Sequence, residues 1–193
     1  MGLWLEQECA RVWDAPFEEL HRLAAAAPDD VPLFDPDADG FLAPGDMPAR
    51  IADACAGAGQ RRPRDRGETI RSIAVSLACK YRFVLERLEA VAEREITCIH
   101  AVGGGVRNRL LCAMTADLTG REVIAGAVEA TALGNLLVQA RAAGELGSLA
   151  DMRAVAAAST RPVHHEPSPD RDRADATYRR FLDVTGLATP TTA

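Results

Sequence analysis

The sequence predicts an α/β fold that is mainly helical and has few strands. Three features lead there. Apolar residues recur every three or four positions from about Glu68 to Glu93, which describes one long helix with a buried stripe. The β-branched, apolar run from Thr97 to Val102 suits a buried strand, and Val123-Ile124-Ala125 suits a second. Between them lie Gly103-Gly104-Gly105 and then a helix face of Leu110, Leu111, Met114, Ala116 and Leu118, with Gly120 as its stop. The chain is organised around this unit of strand, glycine turn, helix and strand.

The other elements follow in order. Residues 2–13 (GLWLEQECARVW) read as a helix, and Asp14 with Pro16 restarts one that carries Phe17, Leu20, Leu23 and Ala24 on one side. Residues 31–48 form a Pro/Asp/Gly-rich connection. Asp35, Asp37, Asp39 and Gly40 have the spacing of a calcium loop, with Asp46 at its twelfth position. Pro36 and Pro44 stiffen that loop, the twelfth position lacks a bidentate Glu, and Pro32 blocks a long entering helix, so the segment reads as structure. Asp46 reads as the N-cap of a helix with Pro48 in its first turn, running through Cys55. In the long helix the stripe comprises Ile70, Ile73, Ala74, Leu77, Tyr81, Val84, Leu85, Leu88 and Val91, expected to be core throughout. Lys80 belongs to the solvated side.

After the second strand, residues 130–143 read as a helix closed by Gly144, with Glu129 near its positive end. Gly134 within that helix costs about 1 kcal/mol relative to alanine, and a close approach of the helix to the glycine turn is the expected reason. Residues 149–158 read as a short helix capped by Ser148, 161–169 as extended, and 170–184 as an amphipathic helix. His164-His165 reads as solvated, since adjacent histidines point in different directions and no carboxylate has ligand spacing. One domain over 1–187 and a disordered tail at 188–193 complete the expectation.

Bulk properties narrow the partners. At 193 residues and 48% hydrophobic, the chain can build one modest core. Net charge is −6 and Arg61-Arg62-Pro63-Arg64 is an isolated basic run, which argues against nucleic acid or an anionic membrane as the partner. Five scattered cysteines form no CxxC pair and behave as reduced, small hydrophobes. The absence of a leader pattern or a long apolar run leads to the expectation of a soluble, cytoplasmic protein.

A glycine turn that feeds a helix presents backbone N–H groups to a phosphate or nucleotide. This one is not a P-loop, because no Gly-Lys-Ser/Thr follows, and Asn108 stands at the third glycine of a dinucleotide fingerprint. The succession GGGVRN (103–108), TADLTG (115–120) and EATALGN (129–135), with GLWLEQECARVW (2–13) before it, resembles the FGGY family of carbohydrate kinases. Within that family it looks most like the rhamnulokinases, which show a similar proline- and aspartate-rich segment.

The resemblance implies an incomplete C-terminal actin-like (ribonuclease H-like) ATPase domain. It implies that Gly103, Gly104, Gly105 and Asn108 belong to the adenosine-binding end, with Gln7 near the nucleotide; without it, Gln7 reads as an exposed helix side chain. Glu6 departs from the pattern, which usually has an apolar residue there. ATP and Mg²⁺ are the implied cofactors, and the implied reaction moves the γ-phosphoryl group to the 1-hydroxyl of L-rhamnulose. The sugar pocket, catalytic aspartate and phosphate-gripping hairpin would lie upstream, so no catalytic residue and no metal ligand is assigned here. Asp117 fits helix structure instead. An isolated chain is expected to be inactive, and with two strands it is expected to self-associate through an open sheet edge. Three rival readings are another FGGY kinase acting on xylulose, glycerol or a related polyol, a non-catalytic interaction module, and a dinucleotide-binding oxidoreductase.

Overall fold

A computed structural model describes residues 2–187, so the tail expected at 188–193 lies outside the described residues. Helices α1 (Trp4–Trp13) and α2 (Phe17–Ala26) are joined through Asp14, which sits in the left-handed region at φ 47°. The connection that follows is tied down along its length. It buries Val31, Leu33, Phe34 and Phe41, and the two phenylalanine rings meet at 5.2 Å. Lys80 Nζ donates to Asp35 at 2.9 Å, and Trp4 Nε1 donates to the Phe41 carbonyl at 3.1 Å. Asp46 caps α3 (Met47–Gly57) by accepting from the Ala49 N–H at 3.1 Å. Asp35 and Asp46, two of the aspartates at calcium-loop spacing, therefore hold the chain itself.

Helix α4 (Arg66–Ala92) begins two residues before the apolar periodicity does, because Asp65 caps it by accepting from the Glu68 N–H at 2.9 Å. Gly67 lets α2 approach closely. A Cβ there would stand 2.7 Å from the Leu23 carbonyl oxygen. The stripe expected to be core throughout is buried only as far as Leu77; Tyr81 and Val84 are exposed, Leu88 is 53% exposed and Val91 86% exposed. The contacts that reach that end are polar, Tyr178 donating to Glu86 and Arg121 to Glu89, and they leave Leu88 and Val91 in solvent.

Among the described residues the sheet has three strands. β1 (Cys98–Ala101) and β2 (Glu122–Ala125) are parallel, with Ile99 opposite Val123, and helix α5 (Arg109–Thr119) crosses between them. Cys112 and Ala116 of α5 pack on Val123 and Ala125. β3 (Val163–His165) runs antiparallel to β2 within the segment read only as extended, and the order is β1-β2-β3. His164 joins Glu122 at 2.5 Å, so this histidine is paired rather than merely solvated. Helix α8 (Arg171–Thr185) returns to the core, where Phe181 and Tyr178 meet Leu33, Val75, Cys79 and Leu118. Phe181 is fully buried, a contribution of about 2–3 kcal/mol.

Helices α6 (Ala130–Ala142) and α7 (Leu149–Ala158) are less well covered: α6 buries only Leu137, and α7 buries none of its residues. The buried cysteines are chemically quiet. Burial pushes the Cys9 and Cys79 thiols up to about 12 and Cys55 to about 11. Among the described residues no helix is long and apolar enough to cross a membrane.

Candidate functional site

β1 ends at Ala101 and the chain must turn sharply over the end of β2. Gly103 makes the turn with φ 86°, a conformation costly for any residue with a Cβ. Its N–H donates to the Ala127 carbonyl at 2.8 Å, and the Gly126 N–H donates to the Ala101 carbonyl at 2.8 Å. The carboxyl ends of the two parallel strands are thereby stitched together.

A 3₁₀ turn (Gly104–Arg107) then leads into α5. Gly105 lies against α1, since a Cβ there would stand 3.2 Å from Leu3 Cδ1. A Cβ at Gly103 or Gly104 would meet nothing within 4 Å, and Gly104 is exposed, so the backbone is open to an approaching ligand.

Asn108 holds the turn from below. It is 4% exposed and caps α5, with Oδ1 accepting from the Leu111 N–H at 3.0 Å. Its Nδ2 donates to Glu6 Oε2 at 2.9 Å. These two partners admit only one orientation of the amide. The other Glu6 oxygen lies against His21 Nε2. Gln7 follows Glu6 on α1 with its side chain exposed. The structure thus gathers the three glycines, Asn108 and the start of α1 in one place. Asn108 is the buried member of that group and Gln7 the solvent-facing one.

Beside the turn, a cleft of about 390 Å³ opens between Gly126, Ala127, Glu129, Leu133, Thr160 and Arg161. Glu129 occupies the N-cap position of α6 without a side-chain hydrogen bond to the helix. Thr160 and Arg161 had no signal in the sequence, because only the pairing of β3 with β2 carries them here. The expectation for Gly134 was wrong. A Cβ at that position would meet nothing within 4 Å, so close approach to the turn does not explain this glycine.

Ligands of open α/β sheets bind outside the carboxyl ends of the strands, and both the turn and this cleft lie there. Backbone amides, small side chains and the start of α6 suit the holding of a ligand. Among the described residues no group of three His, Cys, Asp or Glu is placed to hold a metal ion. A cleft of about 430 Å³ elsewhere, between α4, α5 and α8, contains none of the expected site residues. Its arginines are engaged internally, Arg71 and Arg173 with Asp29 and Arg180 with Asp30.

Residues 1–143 match the family model for the C-terminal domain of the FGGY carbohydrate kinases. The chain belongs to this family. Among FGGY proteins it is 40% identical over 181 residues to the rhamnulokinase of Bacteroides thetaiotaomicron, covering 93% of this chain and 37% of that protein. It is 37% identical over 191 residues to the Enterococcus faecalis rhamnulokinase, covering 97% of this chain and 39% of that protein. The chain therefore spans less than two-fifths of either relative. The crystal structure of a xylulose kinase from Rhodospirillum rubrum superposes with a TM-score of 0.68 at 21% identity, over 97% of this chain and 38% of that one. That likeness establishes the fold, a mainly helical α/β domain of the sugar-kinase type.

Proposed function

We propose that this chain is the nucleotide-side portion of an ATP-dependent sugar kinase that phosphorylates L-rhamnulose at its 1-hydroxyl. One observation carries the nucleotide assignment: the glycine turn is clasped over the end of β2 by the Gly103–Ala127 bond, with open space above Gly103 and Gly104. In this reading Gly103 shapes the turn, Gly104 lets the adenosine end of ATP approach the backbone, Gly105 seats the turn against α1, and Asn108 fixes its base. Gln7, exposed on the same helix start, faces the nucleotide. The choice of sugar rests on the 35–40% identity to rhamnulokinases.

Among the described residues no group of three His, Cys, Asp or Glu is placed to hold a metal ion, so in this reading Mg²⁺ would arrive with the ATP phosphates and no step is routed through it. The hydroxyl proton and the sugar would be handled by the part of the kinase outside this chain, and the chain alone would show no turnover. A cytoplasmic location fits such a kinase. The outer edge of β1, unpaired with any described strand, and the bare end of the α4 stripe favour self-association of isolated copies.

ADP titration, with binding heat as the readout, tests the site. Gly104→Leu should weaken affinity about tenfold or more by filling the open space. Unchanged affinity would remove Gly104 from the site, and a kinase containing this chain that ignored L-rhamnulose would refute the sugar assignment.

A further inference from the structure

We propose that Glu6 is a positioning residue for the glycine turn, acting through Asn108 to set where the turn and the first turn of α5 sit. This rests on the reading of that turn as the nucleotide cradle.

The contact is built and enclosed. Glu6 and Asn108 are each 4% exposed, and the hydrogen bond between them joins residues 102 positions apart. A buried carboxyl group costs free energy unless its oxygens are partnered, and here both are, one by Asn108 Nδ2 and one by His21 Nε2. Asn108 in turn is the joint between two segments. Its N–H donates to the Gly105 carbonyl at 3.0 Å, and its own carbonyl accepts from the Cys112 N–H at 3.1 Å. Its side chain caps the Leu111 N–H at 3.0 Å. A displacement of Asn108 therefore moves Gly105 and the start of α5 together.

The start of α1 touches this assembly at two points, its N-cap Leu3 against Gly105 and Glu6 against Asn108, three residues apart. The first is a steric stop. The second is directional, because only an oxygen at position 6 can accept from Nδ2. An apolar side chain would fill the volume and leave that N–H buried without an acceptor. Glu6 also ties the turn to α2 through His21, so the cradle is referenced to two helices of the packed body.

The test compares the full 193-residue chain with its Glu6→Leu, Glu6→Gln, Asn108→Asp and Gly104→Leu variants. ADP affinity and backbone hydrogen exchange are both measured. Glu6→Leu should weaken ADP binding about tenfold and speed exchange about tenfold across residues 104–112, with amides around Leu77 in α4 unchanged. Glu6→Gln keeps an oxygen for Nδ2 and should stay within about threefold of the parent. Asp is as good an N-cap as Asn, so Asn108→Asp would be harmless if Asn108 were only a cap. Facing Glu6, it should instead loosen the turn as Glu6→Leu does, which keeps the question open to refutation if the leucine variant misfolds.

Exchange that rises equally in α4 and α5 would overturn the proposal, as would a leucine variant indistinguishable from the glutamine one. Local loosening with ADP affinity unchanged in both Glu6→Leu and Gly104→Leu would sustain Glu6 as the turn's anchor and sink the nucleotide reading instead.

Discussion

The body of the molecule, formed by α1–α5, the sheet and α8, differs sharply from the α6–α7 pair. Both are rich in alanine, leucine and valine. In the body these residues close a core, with Leu5, Leu20, Ile51, Ile73 and Leu77 almost wholly buried. In α6, Leu136 is 63% and Val138 59% exposed, and α7 buries nothing. Apolar content alone did not decide burial; what decided it was whether another element lay opposite. The end of α4 repeats the lesson within one helix. The glycine turn sits at the join, with its underside fixed to the body through Asn108 and its rim bonded to the segment leading into α6.

Paired truncations should separate the two regions most clearly. Leu77→Ala, in the α4 core, should cost about 2–5 kcal/mol in urea unfolding. Leu136→Ala in α6 should stay within about 0.5 kcal/mol, and equal losses would erase the distinction. A smaller effect is expected at the α2–α4 crossing. Gly67→Ala places a methyl group 2.7 Å from the Leu23 carbonyl oxygen, and the backbone must yield, at about 1–3 kcal/mol. An unchanged unfolding midpoint would mean the crossing is looser than its geometry.

The smallest effect concerns acid. The Arg11 side chain and then the Gly45 N–H hold the Glu8 carboxyl below its usual 4.5. The Ile96 N–H and then Arg121 do the same for Glu89. Groups with depressed values contribute stability that is complete above 4.5 and is lost as pH falls through their folded values. Both lie in the body, so lowering pH below about 4.5 should reduce the unfolding midpoint and speed exchange in α1 and α4. A midpoint that rose on acidification would contradict the assignment.

Helix positions were legible because caps and spacing are local. Asp46 and Ser148, read as caps, each accept from the first turn of their helix, whereas the Asp65 and Asp170 caps emerged only in the structure. The glycine turn was legible for the same reason, and family membership followed from motifs in order. What escaped depends on distant partners. Three residues of β3 become a strand only by pairing with β2, and Gly67 is explained only by the Leu23 carbonyl. Glu6 read as a departure from a pattern until its partners, 15 and 102 residues away, were in place. Gly134 invited a packing explanation that the structure does not supply.

The separation between Glu6 and Asn108 has a kinetic consequence. Most of the body is joined by helices close in sequence, whereas this contact must close a loop of 102 residues before it returns any stabilisation. During synthesis Glu6 can meet His21 of α2 early, but Asn108 is not within its reach until α5 has emerged. Closing the cradle therefore waits for α5, just as the Arg180–Asp30 pair, 150 residues apart, waits for α8.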